Sequence, residues 1–198
     1  MLAVKGGDQR AFAQLFDKYS RAIVNFAFRF VGDRARAEEL AQDVFMKIYR
    51  SATSYQPNAR FKTFLFRVAA NHCMNERRRG IYQSAHTSTE EAGVGNSVEL
   101  VSTDNNSPEQ ALAGHQLENA VSAALDALTP RERVAFSLCR FEGMAYKDIA
   151  ESLETSEAAV KSLIHRATLS VTRHLASVQQ TSENTSNVPQ AKEVGHVH

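Results

Sequence analysis

The chain has 198 residues, 43% hydrophobic and 23% charged, which fits a soluble globular protein of one domain or two small ones. Two cysteines, no secretory leader pattern and no apolar run of bilayer length argue against a disulfide framework and membrane insertion, and a reduced cytoplasmic setting is expected. The formal net charge of +1 hides an asymmetry: residues 1–79 carry 15 Lys/Arg against 7 Asp/Glu, whereas residues 80–111 carry 5 acidic residues and no basic one, the pattern of a polyanion-binding module beside an acidic linker.

Residues 1–7 read as a short, loose lead. Asp8 caps a predicted helix that runs to about Val31, with Phe12, Leu15, Phe16, Tyr19, Ile23, Phe26, Ala27 and Phe30 on its apolar face and Gly32 at its end. Asp33 caps the next, from Arg34 to about Ala52. It buries Ala37, Leu40, Ala41, Val44, Phe45 and Ile48 and leaves Glu38, Glu39, Gln42, Asp43, Lys47 and Arg50 outside. A loop over residues 54–60, SYQPNAR, leads into a third helix over Phe61 to Arg79. Here Phe61, Phe64, Leu65, Val68, Ala69 and Cys73 form an apolar face. Thr63, Arg67, Asn71, Asn75 and Arg78 form a polar line, one turn apart, and three arginines close the segment. Guanidinium groups pair with phosphate oxygens and amides hydrogen-bond base edges, so this helix is a candidate for holding DNA. The bland alternative is a surface helix whose last-turn arginines merely suit the helix dipole. Three such helices with short connections make a compact bundle.

From Gly80 to about Asn106 the composition turns to Ser, Thr, Asn, Gly and Glu, which reads as a flexible linker over residues 80–110. Ser107-Pro108-Glu109-Gln110 is a helix-start signature, and a second module spans residues 111–176. Leu117, Val121, Ala124, Leu125 and Leu128 line its first helix. Thr129-Pro130-Arg131-Glu132 starts another, which carries Val134, Phe136, Leu138 and Phe141 and stops near Gly143. Residues 145–170 have the layout of a helix-turn-helix: Ile149, Ala150 and Leu153 pack the first helix, Ser156 caps the second, and Val160, Leu163, Ile164 and Ala167 bury its inner face. Glu157, Ala158, Lys161, Ser162, His165, Arg166 and Thr168 are left partly or wholly outward on the helix that would enter a major groove; a helical hairpin with a mixed-charge face is the alternative. Residues 177–198 read as a disordered tail. The fold class is thus all-α, two small helical domains joined by a flexible linker.

The segments GDQRAFAQLFDKYS (7–20), AEELAQDVFMKIYR (37–50), FKTFLFRVAANHCMNERRR (61–79), LDALTPRERVAFSLCRFEGMAYKDIAESL (125–153) and AVKSLIHRAT (159–168) resemble the extracytoplasmic-function group of bacterial sigma factors. The resemblance implies a specificity subunit of RNA polymerase with no cofactor. Residues 1–79 would bind core polymerase and open the −10 element; residues 111–176 would read the −35 element. Gln42, Asp43, Lys47 and Arg50 would meet the clamp of the largest polymerase subunit, and the second module the flap of the second subunit. Arg60, Phe61, Lys62, Arg67, Asn71, Asn75, Arg78 and Arg79 would serve the −10 element, and Lys161, Ser162, His165 and Arg166 the −35 element. An anti-sigma factor is expected as a partner from the group alone.

This chain departs from the group in places. Phe64 stands where Trp is usual and Asn75 where Asp is common. Ala145 replaces a Ser cap, Glu154 a turn glycine, and Leu163 and Thr168 common arginines. A competing function is a polymerase-independent helix-turn-helix regulator with residues 1–79 as a dimerisation or sensing bundle. Catalysis and metal binding are not expected, because no His-x-x-x-His, Cys-x-x-Cys or glycine-rich phosphate loop occurs, although the terminal Gly-His-Val-His could pick up a metal loosely.

Overall fold

The computed structural model describes residues 1–86 and 119–186, and all regular structure within them is helical. The expected helix start at 107–110, Leu117, most of the acidic linker and residues 187–198 with the terminal histidines lie outside the described residues. Helix α1 (Leu2–Lys5) replaces the expected loose lead: Val4 is buried and Lys5 Nζ donates to the Tyr55 carbonyl at 3.0 Å. Helix α2 (Gln9–Val31) begins where Asp8 accepts from the Arg10 and Ala11 amides, and it ends at Gly32, whose φ of 68° needs no Cβ to be accommodated. Helix α3 (Arg34–Arg50) begins at Asp33, which accepts from the Arg36 amide, and a 3₁₀ turn (Ala52–Ser54) follows it.

Helices α2, α3 and α4 (Phe61–His86) form the first bundle around Ile23, Phe26, Leu40, Val44, Ile48, Leu65 and Phe66. Two expectations for α4 need correction. The helix does not stop at Arg79; it continues to His86. Gly80 weakens a helix interior by about 1 kcal/mol, but no proline follows until Pro108, so nothing forces a stop. Thr63 is not on the solvent-facing line: it is 2% exposed, beneath the second module.

In the second module, helix α5 (119–126), α6 (Pro130–Arg140), α7 (Tyr146–Ser152) and α8 (Glu157–Ser186) follow in order. Thr129 and Glu132 close a reciprocal capping box at the start of α6. Ile149, Ala150, Leu153, Val160 and Ile164 are buried as the helix-turn-helix reading requires. A smaller core of Leu125, Leu128, Phe136 and Ala167 joins α5, α6 and α8. The turn between α7 and α8 holds Glu154 at φ 51°, a left-handed conformation that strains a residue with a side chain. Helix α8 passes well beyond Leu175, where it was expected to end, since no glycine or proline interrupts it before Pro189.

Ala145 at the start of α7 makes no side-chain cap. A145S should stabilise the protein by about 1 kcal/mol, the usual value of a serine cap, and raise the unfolding temperature by about 2–4 °C in a thermal melt.

The two modules do not stand apart. A contiguous core includes Leu65, Phe66 and Ala70 of the first with Val134, Leu138, Ile149 and Leu153 of the second. Ser152 Oγ donates to the Thr63 carbonyl at 3.1 Å, and Arg133 Nη1 to the Arg29 carbonyl at 3.0 Å.

Candidate nucleic-acid and polymerase interfaces

Helix α4 carries three faces. Leu65, Ala69 and Cys73 point into the bundle; burial pushes the Cys73 thiol up to about 12, so it is a packed, unreactive group. A second arc, with Lys62 and Thr63, meets the second module: Lys62 Nζ donates to the Glu142 carbonyl at 2.6 Å. The third arc presents Arg67, Asn71, Asn75 and Arg78, a ladder of donors about 16 Å long at 1.5 Å per residue. Asn71, Asn75, Arg78 and Arg79 are exposed. Arg67 is half-buried, its guanidinium 5.5 Å from the Phe64 ring centre. Arg78 and Arg79 have no hydrogen-bond or ion-pair partner among the described residues. They sit about two turns before the end of α4, so the dipole explanation for them falls away. Arg77, by contrast, is engaged with the Asp126 carbonyl at 3.1 Å.

The aromatics beside this arc are mostly structural. Tyr55 is 8% exposed and stacks edge-on against Phe64 with ring centres 5.2 Å apart, which withdraws it from base stacking. Phe61 is half-buried against Tyr19, ring centres 5.5 Å apart, and the preceding residue, Arg60, is exposed.

On α3, Gln42, Asp43, Lys47 and Arg50 are all exposed on one side. Asp43 and Lys47 are joined through His72 of α4: Lys47 Nζ donates to Nδ1 at 2.6 Å, and Nε2–H donates to Asp43 Oδ2 at 3.2 Å. Burial and Lys47 lower the His72 pKa against the opposing pull of Asp43, so the ring is neutral and accepts from Lys47. A lowered histidine contributes stability above its ordinary value near 6.5, and that contribution is lost as pH falls toward the folded value. Glu38 and Glu39, which also looked outward in sequence, pair within the helix with Arg34 at 2.8 Å and Arg36 at 2.6 Å. Sequence reasoning missed Met46 and Tyr49. They are 48% and 45% exposed, flank Lys47 and Arg50, and fall outside the core stripe of α3; that mismatch with the helical period was the available signal.

On α8, Lys161, Ser162, His165 and Arg166 are exposed, with Val160, Ile164 and Ala167 buried behind them. Ser162 Oγ donates to the Ala158 carbonyl at 3.1 Å. Arg166 Nε donates to Glu132 Oε1 at 2.7 Å. Burial alone would raise Glu132, but hydrogen bonds from Arg166 and Thr129 outweigh it and hold the carboxyl below its usual range. The bond leaves both Nη groups of Arg166 available, so the side chain is preoriented rather than consumed. The geometry therefore supplies three outward surfaces on helices: a donor ladder on α4, a mixed apolar and charged patch on α3, and a polar helix face on α8. Among the described residues no cluster of His, Cys, Asp and Glu could hold a metal ion, and no helix is long and apolar enough to cross a membrane.

The chain matches two family descriptions, Sigma-70 region 2 over residues 15–80 and Sigma-70, region 4 over residues 118–169. The RNA polymerase sigma-H factor of Pseudomonas aeruginosa is 33% identical over 165 residues, 83% of this chain and 86% of that protein. The ECF RNA polymerase sigma factor SigW of Bacillus subtilis is 30% identical over 166 residues, 82% of this chain and 88% of that protein. Among solved structures, the sigma factor RpoE in complex with the anti-sigma factor NepR from Bartonella quintana has a similar fold. Its TM-score is 0.67 at 20% identity, covering 84% of this chain and 98% of that one. CnrH in complex with the cytosolic domain of CnrY is also similar, with a TM-score of 0.64 at 22% identity, covering 88% and 94%. The matched regions contain α3, α4 as far as residue 80 and the helix-turn-helix, and the chain belongs to the sigma-70 family as an RNA polymerase sigma factor of the extracytoplasmic-function group.

Proposed function

We propose that the three surfaces divide the work of promoter-specific initiation. The patch of Gln42, Asp43, Met46, Lys47, Tyr49 and Arg50 docks on the polymerase clamp. It combines exposed apolar area with charge, the composition of an interface rather than of a solvated helix. The ladder of Arg67, Asn71, Asn75, Arg78 and Arg79, with Arg60, Phe61 and Lys62 at its start, holds the melted −10 strand by phosphate pairing and amide contacts to bases. Lys161, Ser162, His165 and Arg166 read the −35 element in the major groove. The observation that carries this reading is the outward donor ladder on a helix whose opposite side is core.

The work takes place in the cytoplasm and involves no catalysis by this chain. The names of the solved neighbours pair RpoE with the anti-sigma factor NepR and CnrH with the cytosolic domain of CnrY, which supports an anti-sigma factor as a partner here too. Run-off transcription with purified core polymerase on genomic DNA tests the whole reading: discrete start sites that depend on this chain support it, and none would defeat it. Arg166→Ala should weaken the −35 footprint by about 1–3 kcal/mol, the value of one good base contact. An unchanged footprint removes Arg166 from the reading surface.

A further inference from the structure

His72 belongs to neither the core face nor the donor ladder of α4. Its side chain is 11% exposed, whereas the two groups it joins stand outside: Asp43 is 64% exposed and Lys47 is exposed. Asp43 and Lys47 lie four positions apart on α3, the spacing at which a carboxylate and an ammonium pair directly on a helix. Here each is bound instead to one nitrogen of the ring.

The partners fix the tautomer. An ammonium only donates and a carboxylate only accepts, so Nδ1 is the bare acceptor toward Lys47 and Nε2 carries the proton toward Asp43. A neutral imidazole has one donor and one acceptor and meets both demands. An imidazolium has two donors. Its Nδ1–H would confront the Lys47 ammonium, donor to donor and charge to charge, across 2.6 Å. Lys47 must then swing away, and Asp43 becomes the counter-ion of the ring. The other charge acting on the ring is Glu76 of α4, one turn on, which is itself paired with Arg36 of α3. Among the described residues no charge of α2 acts on it. Burial and Lys47 disfavour the imidazolium by more than Asp43 and Glu76 favour it.

A lysine held in place before docking has less rotamer freedom to lose on a partner's surface. A carboxylate bonded to a neutral ring, rather than to its neighbouring ammonium, presents its full charge to that partner.

We propose, on the reading of α3 as the clamp-facing side, that His72 is a positioning residue for polymerase docking: the neutral ring holds Asp43 and Lys47 apart and outward as a preset pair of opposite charges, and protonation of the ring dismantles that pair. Core binding is then constant above the ordinary histidine value of about 6.5 and falls as pH drops through the lower value of the folded ring. The loss is about three- to tenfold, the worth of one immobilised side chain.

The test measures binding of the full chain to core polymerase between about pH 5 and pH 8. His72→Leu keeps apolar bulk and makes neither bond. His72→Gln keeps one donor and one acceptor and does not titrate. At about pH 7.5 the Leu variant should bind about three- to tenfold more weakly than wild type, and the Gln variant should recover most of that loss. On acidification the wild type should lose affinity relative to the Gln variant. Any pH response of the core enzyme itself is common to both and cancels in the ratio. The midpoint should match the ring titration of the free chain followed by nitrogen NMR, which also reports the Nε2–H tautomer. Circular dichroism checks folding, and should the Leu variant unfold, the ratio of wild type to Gln variant decides alone. A ratio that stays flat with pH, a folded Leu variant with full affinity, or an Nδ1–H tautomer overturns the role of His72, even where Asp43→Arg impairs binding. Full affinity of Asp43→Arg defeats the docking surface on α3 instead, and the role of His72 falls with it.

Discussion

Replacing Arg78 and Arg79 together by Glu should abolish open-complex formation at a cognate promoter and leave the protein folded. Both side chains are exposed and neither has a partner among the described residues, so their loss removes no internal bond there. Arg and Glu have similar helix propensities, and exposed substitutions of this kind change stability by no more than about 0.5 kcal/mol each. The DNA side of the ledger is larger. A hydrogen bond to a charged group contributes about 1.5–3 kcal/mol, so two lost phosphate contacts alone amount to about 3 kcal/mol or more, at least a hundredfold in binding. Two new carboxylates facing a polyanion add repulsion to that loss. Permanganate footprinting of the melted strand, with circular dichroism as the folding control, measures both sides. Normal strand opening by the folded variant would remove the end of α4 from the DNA surface.

Features set by neighbouring residues were legible in the sequence. The Asp8 and Asp33 caps, the stop at Gly32 and the Thr129–Glu132 box each depend on groups within a few residues, and each forms as read. The strained turn at Glu154 and the bare cap at Ala145 were expected from the resemblance instead, and both occur. What was missed depends on partners far along the chain. Thr63 shares the helical line of Arg67 and Asn71 and looks solvent-facing until α7 lies across it. Nothing near Arg133 in the chain marks it as buried; its burial needs Phe30 and Arg29, more than a hundred positions away. Val4 and Tyr55 are buried because the lead folds back on the loop before α4, a contact for which local pattern holds no signal. Of the candidate site, the α4 ladder and the α8 face followed from helical period. The bond from Lys62 to the Glu142 carbonyl of the second module did not.

Asp43→Arg should weaken binding to core polymerase by about 2 kcal/mol or more, about thirtyfold, without unfolding the chain. In the free protein Asp43 is exposed, and it accepts from His72 Nε2 at 3.2 Å. The new arginine would stand one turn before Lys47, a like-charge pair that costs an isolated helix only about 0.2–0.5 kcal/mol. Removing the acceptor also leaves His72 with Lys47 on its other nitrogen, which favours the neutral ring already present. The fold therefore has little to lose. At the clamp the balance is reversed: a charged pair covered by a partner loses about 2–5 kcal/mol when one member is removed, and a reversed charge adds repulsion. Binding titration against core enzyme, with a thermal melt of the free variant, separates the two effects. Asp43→Asn keeps the shape and an acceptor for His72 while removing the charge, so an intermediate affinity marks the clamp contact as electrostatic. Full affinity in both variants would move the polymerase contact off this side of α3.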